Sequence, residues 1–325
     1  MGMEGNTMPT RRALLALPLA APAFAQTPWP GERAIEVVIP YPPGGGVDAM
    51  TRFGLFHAGL QLPGARFVFV NRAGASGQLG LEAIYNAAPD GYTLGGMGSL
   101  NISTLPLERT VRWRAENFSF IANVTDDPCA LWVLAASPLR SLADLAAALR
   151  GRPESLSVGS AAGVGSDDHL VLLALEEATG IRALHAPYNG TAQVQRDLLS
   201  GAVDVASFNA GEGVALLREG RLRCLGMAAP ARWALLPEVA TFREQGFDVV
   251  LGSARGIVGP PGLPAPILHT LREAFTAAFE TPRFTLEAER VALPLRPLVG
   301  EAYRAMVLAE ADQVRALHAR RPWSR

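Results

Sequence analysis

The sequence predicts an α/β protein built on open, mainly parallel sheets with helices on both faces. Three observations lead there. Short β-branched runs alternate with amphipathic segments of helical period along most of the chain. The composition, 49% hydrophobic and 18% charged, belongs to a chain that buries a core. Four of the strand-like runs end in glycine- and serine-rich loops, the places where ligands bind in such sheets.

Taken in order, residues 1–25 read as a cleaved export signal. Thr10-Arg11-Arg12 leads into a short apolar run, and Ala23-Phe24-Ala25 ends it as a small-x-small cleavage site. The run is too short and too proline-broken to span a bilayer. The paired arginines suit the twin-arginine route, and a general secretory signal has the same outline. Either route leads to the periplasm. Gln26 rather than Cys follows the cleavage site, which argues against a lipid anchor.

Strands are expected at 35–39, 67–70, 92–95, 120–124, 131–135, 156–159, 184–186, 203–208, 224–228 and 256–259. Helices are expected at 49–60, 79–86, 142–150, 168–179, 191–200, 214–219, 264–280, 283–291 and 301–320.

The first loop is the most informative. Pro40-Tyr41-Pro42-Pro43-Gly44-Gly45-Gly46-Val47-Asp48 joins the first strand to the first helix. Prolines hold the turn extended and remove competing donors. Glycines let backbone N–H groups reach a ligand with no Cβ in the way, and the helix N-terminus behind them favours an anion such as a carboxylate. A branched side chain at Gly45 is therefore expected to cripple binding. Asp48 reads as the cap of that helix. Comparable loops follow at Ala75-Ser76-Gly77, at Ser99 to Asn101, and from Ser160 through Gly163, Val164, Gly165 and Ser166. Ser166 is the better cap of the two serines, and His169 reads as a packed, hydrogen-bonded histidine.

Other classes of function are disfavoured. The net charge of −1 suggests neither nucleic acid nor an anionic membrane as a partner. All 29 basic residues are arginine, so lysine-based chemistry is excluded. No Gly-x-Ser-x-Gly, Ser-x-x-Lys or His-Glu-x-x-His pattern is present. No cofactor is expected, and no spacing suggests a metal. Cys129 and Cys224 stand as a disulfide pair or as two separate buried thiols.

These residues resemble the Bug-type extracytoplasmic solute receptors, the binding components of tripartite tricarboxylate transport systems. The resemblance runs through most of the mature chain. It rests on the first loop, on Asn71-Arg72 through Gly80, and on Asp90-Gly91-Tyr92-Thr93-Leu94. Ser160, Gly163, Gly165, Ser166, His169 and Leu170 continue it, as do Ala186-Pro187-Tyr188-Asn189-Gly190 and Gly259-Pro260-Pro261-Gly262. It implies a type II periplasmic binding protein, a two-domain flytrap with domain 1 at 27–127 plus 230–325 and domain 2 at 128–229. Ligand would lie between the domains, closed in by hinges near 127 and 230. The implied function is capture of a small carboxylate for a membrane transporter, by a monomer that is not an enzyme. A receptor presenting its ligand to a membrane sensor is the alternative, and a secreted hydrolase a lesser one.

Tyr188, Asn189 and Asn209 follow strands and point to the cleft in this scheme, although Asn189-Gly190 also reads as a turn. Where the family often has tryptophan, this chain has Ser253-Ala254-Arg255. On the surface Arg255 carries no role. In the cleft it would pair with a second ligand carboxylate and favour dicarboxylates.

Overall fold

The computed structural model describes residues 1–2, 29–320 and 322–323. The export signal, but for its first two residues, and its cleavage site lie outside the described residues. The strands are β1 (Ile35–Ile39), β2 (Phe67–Asn71), β3 (Thr93–Gly98), β4 (Ser119–Leu134), β5 (Ser157–Ser160), β6 (Leu184–Pro187), β7 (Val205–Asn209), β8 (Leu222–Met227), β9 (Gly252–Gly259) and β10 (Leu295–Val299). The helices are α1 (Gly46–Leu60), α2 (Gln78–Tyr85), α3 (Asn101–Glu108), α4 (Leu142–Gly151), α5 (Asp167–Thr179), α6 (Thr191–Ser200), α7 (Ala210–Arg218), α8 (Ala265–Phe279), α9 (Pro282–Arg290) and α10 (Glu301–Arg320). Among the described residues no helix is long and apolar enough to cross a membrane.

The sheet order is β2-β1-β3-β9-β4-β7-β5-β6, with β8 and β10 also pairing β4. The parallel pairings lie toward the two ends of this order, β1 with β2 and β3, and β5 with β6 and β7. Around β4 every pairing is antiparallel. Strand β4 joins the two halves of the fold. Its residues 119–128 pair with β9, and 129–134 pair with β7 and β8. The expected strands at 120–124 and 131–135 are thus one. Thr125-Asp126-Asp127-Pro128 reads as a polar, proline-marked break, yet pairing with β9 holds its backbone extended, and the Asp127 side chain is satisfied by Arg255 and by the Gly211 N–H.

Each half has its own core. Ile35, Met50, Leu94, Ile257 and Phe275 belong to the first. Leu131, Leu145, Val158, Leu175 and Val205 belong to the second. Leu236 and Val239 pack with Trp132 and Phe208, while Phe242 and Val249 join the Leu131 cluster. From these clusters the chain passes into β9 at Leu251 and Gly252. There Cys129 N–H donates to Leu251 O, and Leu251 N–H donates to Ala228 O.

Two elements were not expected. Helix α3 carries Pro106 in its interior and no side-chain cap, so it lacks the usual start signal. Strand β10 contains Pro297, next to a register shift against β4, and proline is tolerated at such an irregularity. Cys129 and Cys224 are both free thiols. Cys129 S–H donates to Asp167 Oδ2, and Cys224 S–H to Gly226 O.

Candidate functional site

Between the halves lies a cavity of about 40 Å³. That is room for a few waters at most, so the two walls are nearly in contact. Helix N-termini converge on it. The start of α1 contributes Gly45, Gly46 and Val47, with Tyr41 from the loop before. The β5–α5 connection contributes Ala161, Ala162, Asp167 and Asp168. Gly190 and Thr191 come from the start of α6, Asn209 and Glu212 from that of α7. Gly98 and Asn101 at α3, and Ser253 and Arg255 on β9, complete the lining.

Seven of the expected site residues meet here: Tyr41, Gly45, Gly46, Val47, Asn101, Asn209 and Arg255. Others have local duties. Asp48 accepts from Gly44 N–H, Arg52 Nε and Asn71 Nδ2, so it braces the first loop. Pro43, Gly44, Ala75 and Asn189 are exposed. Gly77 is buried against the Tyr41 ring, and Ser99 N–H donates to Ala254 O. Ser160 Oγ lies 2.7 Å from His185 Nε2. Ser166 caps α5 by accepting from His169 N–H. His169 Nδ1 accepts from Gly165 N–H, and its ring stacks on His185 at 4.1 Å. Tyr188 packs beside Gly159 in the second core. Val164 joins an apolar cluster with Leu100, Leu170 and Val314.

Some expected loop residues do meet across the gap without lining the cavity. A Cβ built on Gly163 would lie 2.5 Å from Ser76 Oγ, and one on Gly165 would lie 2.1 Å from Glu108 Oε1. One on Gly190 would touch Pro42 at 3.4 Å. Glycines on the second wall therefore admit side chains of the first at close range.

Asp167, Asp168, Thr191 and Glu212 were missed. All four stand in the first turn of a helix, where sequence alone reads a capping role. The signal that points further is their shared address, since each follows a strand end on the same wall.

The electrostatics turn on Arg255. It is 3% exposed and donates four hydrogen bonds. Its Nη1 donates to Asp127 Oδ2 at 3.3 Å, its Nη2 to Asn209 Oδ1 at 2.5 Å and Glu212 Oε1 at 3.1 Å, and its Nε to Ser253 Oγ at 3.2 Å. Arg255 does face the cleft, but it neutralises the protein's own carboxylates. Glu212 is the second pivot. Its Oε1 accepts from Gly46 N–H at 2.7 Å across the gap, and its Oε2 accepts from Thr191 Oγ1 at 2.8 Å. Burial, and then the charge of Asp167, push the Tyr41 hydroxyl up. Burial and the Asp167 and Glu212 charges push Asp168 well above the carboxylate range.

Burial also pushes Asp127 up to about 7, against the pull of Arg255. The unfolded value is near 3.9. The folded protein thus holds a proton that the unfolded chain releases. This contribution to stability is fully present below about pH 4 and is lost as pH rises through about 7. Buried His57 and half-buried His185, lowered by desolvation, act in the opposite sense as pH falls. Comparison with Asp127→Asn isolates the carboxyl. In urea unfolding, the stability of wild type relative to the variant is expected to fall from pH 5 to about pH 7 and to level off by pH 8. A flat difference would mean that Asp127 titrates like an exposed carboxylate.

Comparison with known proteins gives a consistent result. The family described as the tripartite tricarboxylate transporter family receptor matches residues 60–309. A Cupriavidus necator protein, the UPF0065 protein in the gbd 5' region, is 31% identical over 274 residues, 84% of this chain and 83% of the relative. A solved R. palustris protein with adipate superposes with a TM-score of 0.84 at 26% identity, covering 90% of this chain and 98% of that one. MatC from Rhodopseudomonas palustris, solved with bound malate, gives 0.76 at 25% identity, with the same coverage of 90% and 98%.

Proposed function

Because the chain belongs to the tripartite tricarboxylate transporter receptor family, and so is a solute receptor rather than an enzyme, we propose that it captures a small carboxylate in the periplasm and delivers it to a membrane transporter of that type. One observation carries the ligand class. The first loop already holds a carboxylate, since Gly46 N–H donates to Glu212 Oε1 at 2.7 Å. A ligand carboxylate arriving there would replace that oxygen on a backbone donor at a helix N-terminus. The relatives solved with adipate and malate support the same class.

In this reading the first lobe comprises residues 29–127 and 252–320, and the second 128–251. The lobes move about Pro128–Cys129 and Leu251–Gly252. A cavity of about 40 Å³ is a shut cleft, so ligand entry needs opening and ligand binding favours closure around it.

The test is a thermal-shift screen of malate, succinate, adipate, glutarate, aspartate and glutamate on mature protein, followed by small-angle scattering. A ligand at ~100 times its dissociation constant is expected to stabilise by about 2.7 kcal/mol. If no small carboxylate raises the melting temperature, the reading fails. A scattering profile unchanged at saturation would reject lobe motion.

A further inference from the structure

We propose that the ligand carries a protonated nitrogen beside its carboxylate, and that the Asp167–Asp168 corner of the cleft receives it. This rests on the carboxylate reading above and narrows it to amino acids and similar zwitterions.

Asp168 is 2% exposed, lines the cavity, and its Oδ1 has no hydrogen-bond partner. A buried carboxyl oxygen left unsatisfied is costly, and the neighbouring carboxylates that favour a proton on Asp168 favour a ligand ammonium there in the same way. The strong donors nearby are committed elsewhere. Asn209 spends its Nδ2 hydrogens on Asp127 O and Asp167 Oδ2. Arg255 directs four of its five N–H donors to Asp127, Asn209, Glu212 and Ser253. Thr191 gives its hydroxyl hydrogen to Glu212. Around one guanidinium stand Asp127, Asp167, Asp168 and Glu212. A second anionic group of a ligand would meet these carboxylates, whereas an ammonium supplies the charge and the N–H donors that the corner lacks.

A metal ion is the rival occupant. Cys129, Asp167 and Asp168 offer ligand atoms within 4.8 Å of one another. Two features disfavour it. Asp167 Oδ2 is already faced by the Asn209 N–H and the Cys129 S–H. Burial, with the Asp167 charge, also keeps the Cys129 thiol protonated.

Calorimetry at pH 7 on mature wild-type protein tests this with acids that differ only by an α-amine: aspartate against succinate, glutamate against glutarate, 2-aminoadipate against adipate. In at least one pair the amino acid is expected to bind tenfold or more tightly than its partner. Asp168→Asn is expected to weaken that amino acid tenfold or more and to leave the diacid equal or improved. The wild-type pairs decide the matter even if the variant does not fold. Diacids binding as tightly as their amino partners would overturn the proposal and leave carboxylate capture standing. Silence from both sets would defeat both readings. A thermal shift from Zn²⁺ or Mn²⁺ alone, lost in Asp168→Asn, with no preference for the amine, would assign the corner to a metal and overturn the proposal.

Discussion

Arg255→Met is expected to lower the stability of the protein by roughly 3–5 kcal/mol, the cost of breaking a buried ion pair from one side. The methionine keeps most of the apolar stem in place. What it leaves behind is the damage. Asp127 is 1% exposed and Glu212 about 10% at the side chain, and each loses its cationic partner in a water-poor setting. Asn209 Oδ1 loses its donor as well. Urea unfolding at pH 7 reads the effect directly. The loss is expected to shrink toward pH 5, because carboxyls freed of Arg255 take up protons more readily. Adding Asp127→Asn to Arg255→Met is expected to restore part of the stability, since it removes one of the stranded charges. A loss below about 1 kcal/mol, the range of an exposed pair, would mean that Arg255 is not the hub of the cleft.

Gly46→Val is expected to cut ligand affinity by tenfold to more than a hundredfold, the equivalent of about 1–3 kcal/mol of overpacking. A Cβ at this position would lie 1.7 Å from Arg255 Nη1 and 2.3 Å from Glu212 Oε1. Neither side chain is free to step aside, because each is held by the buried network. Gly45 is different. The nearest atom to its added Cβ on the far wall is Thr191 Oγ1 at 3.8 Å. Gly45→Ala is therefore expected to bind within about threefold of wild type. Of the two glycines, Gly46 is the more tightly confined. Calorimetry on the two folded variants separates them, and equal affinities would remove Gly46 from the site.

Much of this architecture was legible in the sequence, for a physical reason. Local period and end signals mark elements such as α6 and α10, whose bounds at 191–200 and 301–320 match expectation. Two loop glycines, Gly45 and Gly46, were legible too, and both line the cavity. What could not be read was non-local. The continuity of β4 rests on pairing with β9, far away in sequence, and the buried Asp127 side chain finds its partners in Arg255 and Gly211, 128 and 84 positions away. The acidity of the cleft arises because α5 and α7 bring their first-turn carboxylates to one place. In the sequence those residues look like separate caps. Arg255 was noticed as a departure, but its partners lie on three other elements, and only the fold reveals that its charge is already spent.

The path of β4 bears on the order in which the polypeptide acquires its structure. Strand β9 sits between β3 and β4 and is the neighbour of both. Residues 29–128 therefore lack a central strand of their own sheet until residues 252–259 have been synthesised. Such distant pairings slow folding, and they leave strand edges unpaired for longer. The second lobe has no such debt, because 129–251 hold β5, β6, β7 and β8 in one unbroken stretch. A ribosome would release that middle portion able to collapse first, as an island flanked by an unfinished N-terminal third. Truncation before residue 252 would orphan the edges of β3 and β4 together, and any N-terminal fragment ending there is an aggregation hazard rather than a domain.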